Sequence, residues 1–158
     1  MEFLEDNQIS EWASERGLER GEGFDVQLPD LASGGRRSYA WGGRSGRERE
    51  AAVELVGCLG PWDECLVWVR HWDVWPSSED WPKFYGWRGR LGERRSLERA
   101  GGHRFDSGES ELLAELLTII MENAWDADIL CARSGRADGL RGRISHDEWY
   151  EILDAPHG

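Results

Sequence analysis

The sequence contains histidine and carboxylate side chains of the types that hold metal ions or transfer protons. His71, His103 and His146, with the adjacent Asp147 and Glu148, could form a metal or acid–base site if the fold brought them together. No two of the histidines have a recognised ligand spacing such as His-Glu-x-x-His. We therefore predict no metal site and no cofactor. We expect the His71 ring to be hydrogen-bonded in a buried strand and His146 to lie in a turn or at a strand edge.

Nucleophilic side chains are also present, but without a catalytic context. Cys58, Cys65 and Cys131 are odd in number and form no Cys-x-x-Cys pair, which favours reduced thiols in the cytosol. Ser45 and Ser134 lie in Gly-Arg segments that superficially resemble anion-binding loops. The sequence contains neither a phosphate-binding loop motif nor a Gly-x-Ser-x-Gly nucleophile elbow. We interpret these segments as turns and predict no catalytic residue.

Charge is distributed unevenly along the 158 residues, whose formal net charge is −12. Residues 1–30 hold nine acids and two bases, and residues 106–130 hold seven acids and no base, so each segment carries −7. An acidic chain repels the phosphate backbone, which argues against direct binding of nucleic acid. A basic partner protein would be the natural complement, although selection for solubility would also produce an acidic surface.

Tryptophan is unusually frequent, with ten residues, six of them between Trp62 and Trp87. Stacking of single-stranded bases on these rings would need a basic groove, which the nearly neutral middle of the chain does not supply. Packing in a core is the first interpretation, and protein recognition is the second, because Trp, Tyr and Arg dominate interface hot spots. We expect Trp87, close to Arg88 and Arg90, to be exposed as a partner anchor.

Apolar periodicity predicts the elements that must position these side chains. Helices are predicted at residues 7–18, 46–59, from Ser77 or Ser78 to about two turns further, and at 109–124. Strands are predicted at residues 24–28, 36–42, 65–75, 103–105, 126–131 and within 143–153, with a polar turn at 134–142. The pattern predicts a single α+β domain over residues 1–158, in which three to four helices pack on one face of a mostly antiparallel sheet.

Neither a membrane span nor an export signal is visible in the sequence. No apolar run approaches 18 residues, and the start MEFLEDNQIS carries acids where a signal peptide carries Lys or Arg. We therefore expect a cytoplasmic protein with no membrane partner.

Two stretches carry a resemblance to small bacterial proteins. These are WVRHWDVWPSSEDWPKFYGWRGRLG (68–92) with GGHRF (101–105), and AWDADILC (124–131) with RISHDEWYEIL (143–153). Small acidic proteins of this kind resemble the immunity proteins carried beside polymorphic toxins, which bind and block a cognate toxin. The resemblance implies an α+β cytosolic inhibitor without catalytic motifs, and it assigns no binding residue.

Together, the acidic segments and the resemblance favour a non-enzymatic protein-binding module, an immunity protein that neutralises a basic toxin domain. The predicted contacts are one aromatic anchor and two acidic faces, formed by Trp87, Glu11, Glu15, Glu19, Glu22, Glu111, Glu115 and Glu122. One alternative is a structural or regulatory subunit of a bacterial defence or secretion assembly. Another is a metal-dependent enzyme that uses His71, His103, His146 and Asp147. The oligomeric state is not indicated by the sequence.

Overall fold

The computed structural model describes residues 1–18, 36–41, 46–134 and 136–153, and these form four α-helices and seven β-strands. In chain order they are β1 (Glu2–Leu4), α1 (Asp6–Glu15), β2 (Arg36–Ala40), α2 (Glu48–Cys58), β3 (Glu64–His71), α3 (Trp81–Arg90), β4 (Gly102–Asp106), α4 (Ser110–Glu122), β5 (Asp126–Arg133), β6 (Arg136–Ser145) and β7 (Trp149–Leu153). A short 3-10 turn at Pro76–Ser78 precedes α3. The predicted α+β class, with helices packed on a mostly antiparallel sheet, is confirmed.

The strands form one sheet in the order β1-β4-β3-β5-β6-β7-β2, and every pair of neighbours is antiparallel. The central strand β3 pairs with β4 on one side and β5 on the other, and Cys65 to Val69 are fully or almost fully buried. Its run of Val, Leu and Trp explains this position, because β-branched and aromatic residues suit a strand covered on both faces. The strand ends at His71, four residues earlier than predicted.

Helices cover both faces of the sheet. Along β3, Cys65, Val67 and Val69 belong to a core cluster with residues of α2, α3 and α4, whereas Leu66 and Trp68 belong to a second cluster with residues of α1. Successive side chains of a strand point to opposite faces, so α1 lies on the opposite side of the sheet from the other three helices. The prediction that all helices share one face is therefore wrong.

Helix α1 packs against the sheet through the predicted stripe Ile9, Trp12 and Ala13, all of which are buried. Its close approach requires glycine at position 102 of β4. A Cβ atom there would lie 2.7 Å from Cγ1 and 2.8 Å from Cδ1 of Ile9. Any other residue at position 102 would place its Cβ atom in the space that the Ile9 side chain of α1 occupies.

The α2 and α4 helices, together with α3, form the other layer, and their apolar periodicity predicts their buried faces. Ala52 and Leu55 of α2 are completely buried, as are Leu113, Leu116 and Leu117 of α4. Their opposite sides carry carboxylates, so the pair presents an acidic outer surface.

Several local predictions differ from the structure. Residues 136–142, predicted as part of a polar turn, belong to β6, and the three-residue strand β1 was not predicted. The backbone amide of Lys83 donates to the carboxylate of Asp80 (3.0 Å), so Asp80 caps α3 in place of the predicted Ser77 or Ser78, and the helix continues to Arg90. Strand β2 pairs with β7, while its predicted hairpin partner at 24–28 lies outside the described residues.

Candidate functional site

The predicted acidic residues near the N-terminus lie on α1. Glu11 and Glu15 are exposed, whereas Glu19 and Glu22 lie outside the residues that the structure describes. Since α1 and α4 lie on opposite sides of the sheet, the two predicted acidic faces cannot form one continuous surface.

The acidic residues of α4 have partners within the chain. Glu111 is exposed and accepts a hydrogen bond from Arg49 of α2, and Glu122 accepts one from Lys83 of α3. Glu115 is half-buried and accepts a hydrogen bond from Nε1 of Trp87 (3.0 Å). The ion pairs of Glu111 and Glu122 lie at the surface, where water and salt weaken them, so these two carboxylates remain accessible to a competing cation.

The prediction that Trp87 is exposed is wrong. Its side chain is 3% exposed, and its ring meets the edge of Phe3 at a centroid distance of 6.4 Å. Phe3 belongs to β1 and Glu115 to α4, so two elements distant in sequence cover the ring. Among the described tryptophans the most exposed is Trp75, at 53%, in the loop before α3.

A surface groove of about 420 Å³ lies between α2 and α4. It is lined by Val53, Val56, Gly57, Gly60, Trp62, Ser110, Glu111 and Ala114. Val53 is 49% exposed although it is aliphatic. The two helices together hold six acidic residues and one basic residue, Arg49. Of these carboxylates, Glu111 lines the groove, whereas Glu50 and Glu54 line a separate depression beside Tyr150. The groove is therefore an apolar depression with one carboxylate in its wall, on a pair of helices that carries excess negative charge.

Sequence reasoning missed this groove, although α2 carries a signal for it. Val53 lies between Glu50 and Glu54 on the side of the helix that the apolar periodicity assigns to water. Gly57, one turn further, has no side chain to cover the space beside it, and an added Cβ there would meet nothing within 4 Å. An apolar residue followed by glycine at i+4 on a polar helix face indicates an open depression.

The structure brings two of the three predicted histidines together around one carboxylate. His71 Nδ1 lies 2.9 Å from Asp126 Oδ2, and His146 Nδ1 lies 2.8 Å from Asp126 Oδ1. Burial alone would raise the pKa of Asp126, but hydrogen bonds from the backbone and ring of His146 and from His71 hold it below its usual value. His71 is exposed rather than buried, which corrects that prediction, whereas His146 lies in the β6–β7 turn as expected.

His103 lies elsewhere, in the core beside Arg88, and neither side chain has exposed surface. Burial and the charge of Arg88 lower the pKa of His103 to about 3. The three histidines therefore do not form one site. Within the described ranges, no three His, Cys, Asp or Glu side chains are arranged to hold a metal ion.

The His71–Asp126–His146 cluster borders a cleft of about 280 Å³, which we call the polar cleft. Among the described residues, it is lined by Arg70, His71, Asp126, Ala127, Asp128, Arg143, Ile144, Ser145 and Trp149. Asp128 is 2% exposed and accepts hydrogen bonds from Arg70 Nη1 (2.9 Å) and Arg143 Nε (3.0 Å). Two guanidinium groups and two imidazoles therefore lie close together on the sheet of this acidic protein.

Comparison with known protein families, curated proteins and solved structures returned no match. In the part of the chain that the structure describes, no helix combines the length and apolar character needed to cross a membrane.

Proposed function

We propose that this protein binds a basic protein partner through the groove between α2 and α4, and that it acts in the cytoplasm as an immunity protein that neutralises a toxin domain. The observation that carries the proposal is the combination of an exposed apolar groove with six carboxylates against one guanidinium on the same two helices. No enzymatic activity is part of the proposal.

The groove supplies the short-range part of the binding. Protein interfaces place a few apolar or aromatic anchors in desolvated pockets surrounded by a polar rim. Val53, Val56 and Ala114 provide apolar walls, and Gly57 and Gly60 leave room for an entering side chain. An apolar residue of the partner, seated here, would slow dissociation.

The carboxylates supply the long-range part. Glu50 and Glu54 are exposed on α2, and Glu111 and Glu122 are exposed on α4. Such a surface attracts a cationic partner and raises its association rate, which is the property that rapid capture of a toxin requires. The surface pairs with Arg49 and Lys83 can open to release Glu111 and Glu122 to the partner's cations.

A partner bound in the groove would contact only one of the two predicted acidic faces. The α1 carboxylates Glu11 and Glu15 lie on the other side of the sheet. They contribute to the overall negative field, but a partner seated between α2 and α4 would not contact them. This restricts the predicted contacts to the α4 carboxylates, of which Glu111 lines the groove, and replaces Trp87 by Val53 as the central apolar residue.

A substitution in the groove tests the proposal. Gly57→Arg adds a long cationic side chain where a Cβ meets nothing within 4 Å, so the variant should fold. Gly86→Arg makes the same change in α3, also with nothing within 4 Å of the added Cβ, and serves as the matched control. Both variants and the unmodified protein are co-expressed with the product of the adjacent gene, and binding of the purified proteins is measured by calorimetry.

We expect the adjacent product to be toxic alone, and to be bound and neutralised by the unmodified protein and by Gly86→Arg. The affinity of Gly57→Arg for the partner should fall at least about tenfold, which corresponds to a loss of about 1.4 kcal/mol in binding free energy. A bound but non-toxic partner would instead favour a subunit of a defence or secretion assembly. Equal affinity of Gly57→Arg and Gly86→Arg for the partner would show that the groove is not the binding site.

A further inference from the structure

The polar cleft lies on the α1 side of the sheet, away from the proposed partner groove. Asp128 pairs with Arg143 across β5 and β6, and Arg143 pairs in turn with Glu151 of β7. These residues alternate with Ala127, Ile144 and Ile152 of the helical core. The cleft is therefore formed by a row of polar side chains on the face opposite to α2, α3 and α4.

An irregularity in β3 gives the cleft its basic wall. Val69 pairs with Ala127 and His71 with Asp126, so Arg70 is an extra residue in the strand. A bulge of this kind turns two successive side chains toward the same face, and bulges often re-aim side chains next to functional sites. Both Arg70 and His71 consequently line the polar cleft.

The Nη atoms of Arg143 do not take part in its ion pair with Asp128. Its Nε atom donates to Asp128, while no described residue accepts a hydrogen bond from Nη1 or Nη2, and the side chain is 37% exposed. A planar guanidinium presents paired donors that match the oxygens of phosphate, sulfate or carboxylate groups. Because Asp128 holds Nε, the Nη edge is kept in one orientation at the cleft.

We propose that the polar cleft is a binding site for a small oxyanion of the phosphate or sulfate class, held by the Nη atoms of Arg143 and by His71. Trp149 forms part of the wall and gives an organic substituent on the anion an apolar surface. This site is independent of the partner groove, so both could be occupied together.

His71 supplies a second donor at the cleft. Its Nδ1 atom lies 2.9 Å from Asp126 Oδ2 and donates to that carboxylate, so the imidazolium form of His71 has Nε2–H left to donate to an anion. The Nε2 atom of His146 lies 3.6 Å from Asp147 Oδ1, so it is engaged by that carboxylate rather than by a ligand in the cleft.

Sulfate is the appropriate probe, because its charge does not change near neutral pH. The protein is titrated with sulfate at constant ionic strength, with chloride as the replaced anion, and the signals of the histidine rings and arginine Nε groups are followed by NMR. We expect saturable shifts at His71 and Arg143.

Three variants make the test specific. Arg143→Gln should weaken sulfate binding by about tenfold, and His71→Gln should weaken it by several-fold. Arg90→Gln changes an exposed arginine of α3 outside the cleft and should bind as the unmodified protein does. The proposal is overturned if the unmodified protein shows no saturable binding, if Arg90→Gln weakens binding as much as Arg143→Gln, or if His71→Gln binds sulfate as tightly as the unmodified protein.

Discussion

Arg88 Nη1 lies 3.4 Å from Nε2 of His103, and both side chains are completely buried on the side of the sheet that α2, α3 and α4 cover. An arginine only donates hydrogen bonds, so the histidine nitrogen facing it acts as the acceptor. The other nitrogen, Nδ1, then donates to the carbonyl of Gly101 at 3.1 Å. The pair therefore holds His103 as one neutral tautomer, in which the proton is on Nδ1.

Arg88 itself is stabilised mainly by carbonyls and rings. Its Nη1 donates to Ala100 O (3.0 Å) and its Nη2 to Arg95 O (3.2 Å), while its guanidinium carbon lies 4.9 Å from the ring centroid of Phe3 and 5.2 Å from that of Phe84. Burial lowers the pKa of Arg88, and the charge of Glu93 acts against this. The side chain thus links α3, the 93–101 segment and β1.

Replacement of Arg88 by alanine should destabilise the fold severely. The change removes buried packing and leaves the buried carbonyl of Ala100 and the partly buried carbonyl of Arg95 without these donors, which together should cost about 3 kcal/mol or more. Urea denaturation measures the free energy of unfolding. Arg90→Ala, an exposed position of the same helix, should change it by no more than about 0.5 kcal/mol. Similar values for the two variants would contradict the bridging role of Arg88.

The buried neutral His103 should make the protein less stable in mild acid. Its folded-state pKa is about 3, lowered by burial and by Arg88, whereas an unfolded histidine titrates near 6.5. As pH falls below about 6.5, the unfolded chain takes up a proton that the folded chain does not. Stability should therefore drop by about 2 kcal/mol between pH 7 and pH 5 from this residue alone.

Denaturation at these two pH values, repeated for His103→Gln, isolates the contribution. The variant should lose most of the drop, even if it is less stable at pH 7. The range stops at about pH 5 because Asp126, Glu93 and Glu109, whose pKa values are lowered in the folded state, reduce stability only in stronger acid. An unchanged drop in the variant would show that His103 is not the responsible group.

The sequence predicted most of the larger elements because their residue types agree with their burial. The α4 helix has a long apolar face, and β3 and β5 are dense in buried aliphatic residues. It did not predict β1, whose three residues are too few to show a period, or the 136–142 part of β6, whose polar run suggests a turn. The placement of α1 on the opposite face depends on Gly102, and no local pattern reports such a contact.

The candidate sites were less predictable than the fold. His71 and His146 meet only because β3 and the β6–β7 turn both adjoin the start of β5. Asp126, which joins them, appeared in the sequence only as part of an acidic segment. Trp87 was predicted to be exposed because it lies close to Arg88 and Arg90, where the apolar stripe of α3 frays, but Phe3 covers it from β1.

Truncation to alanine should destabilise the protein strongly at Trp87 and hardly at all at Trp75. Trp87→Ala removes a large ring from the core and leaves Glu115 without its indole donor, so we expect a cost of about 3–5 kcal/mol. Trp75, which is 53% exposed, should tolerate the same change within about 0.5 kcal/mol. Thermal and urea unfolding of both variants provide the comparison. A large loss at Trp75 would show that its loop supports the fold.

The three cysteines should differ sharply in reactivity. Cys65 and Cys131 are opposite each other on β3 and β5, and the buried Cys131 thiol donates a hydrogen bond to the Cys65 sulfur at 4.0 Å without a disulfide, whereas Cys58 is partly exposed. Burial raises the pKa of Cys65 well above its usual value, with a smaller contribution from Cys131. A thiol reagent should therefore modify one cysteine in the native protein and three after denaturation. Mass spectrometry locates the modified residue, and rapid native labelling of Cys65 would contradict this order.

The contact between Gly102 and Ile9 should show strong coupling in a double-mutant cycle. Gly102→Ala places a methyl group 2.7 Å from Cγ1 of Ile9, so α1 must shift, and overpacking of this kind costs about 1–3 kcal/mol. Ile9→Ala removes both clashing atoms but leaves a cavity under α1. In that background the added methyl group should cost much less, or should even restore stability, because it fills part of the cavity. Strictly additive effects on the free energy of unfolding would mean that the position of α1 does not depend on this glycine.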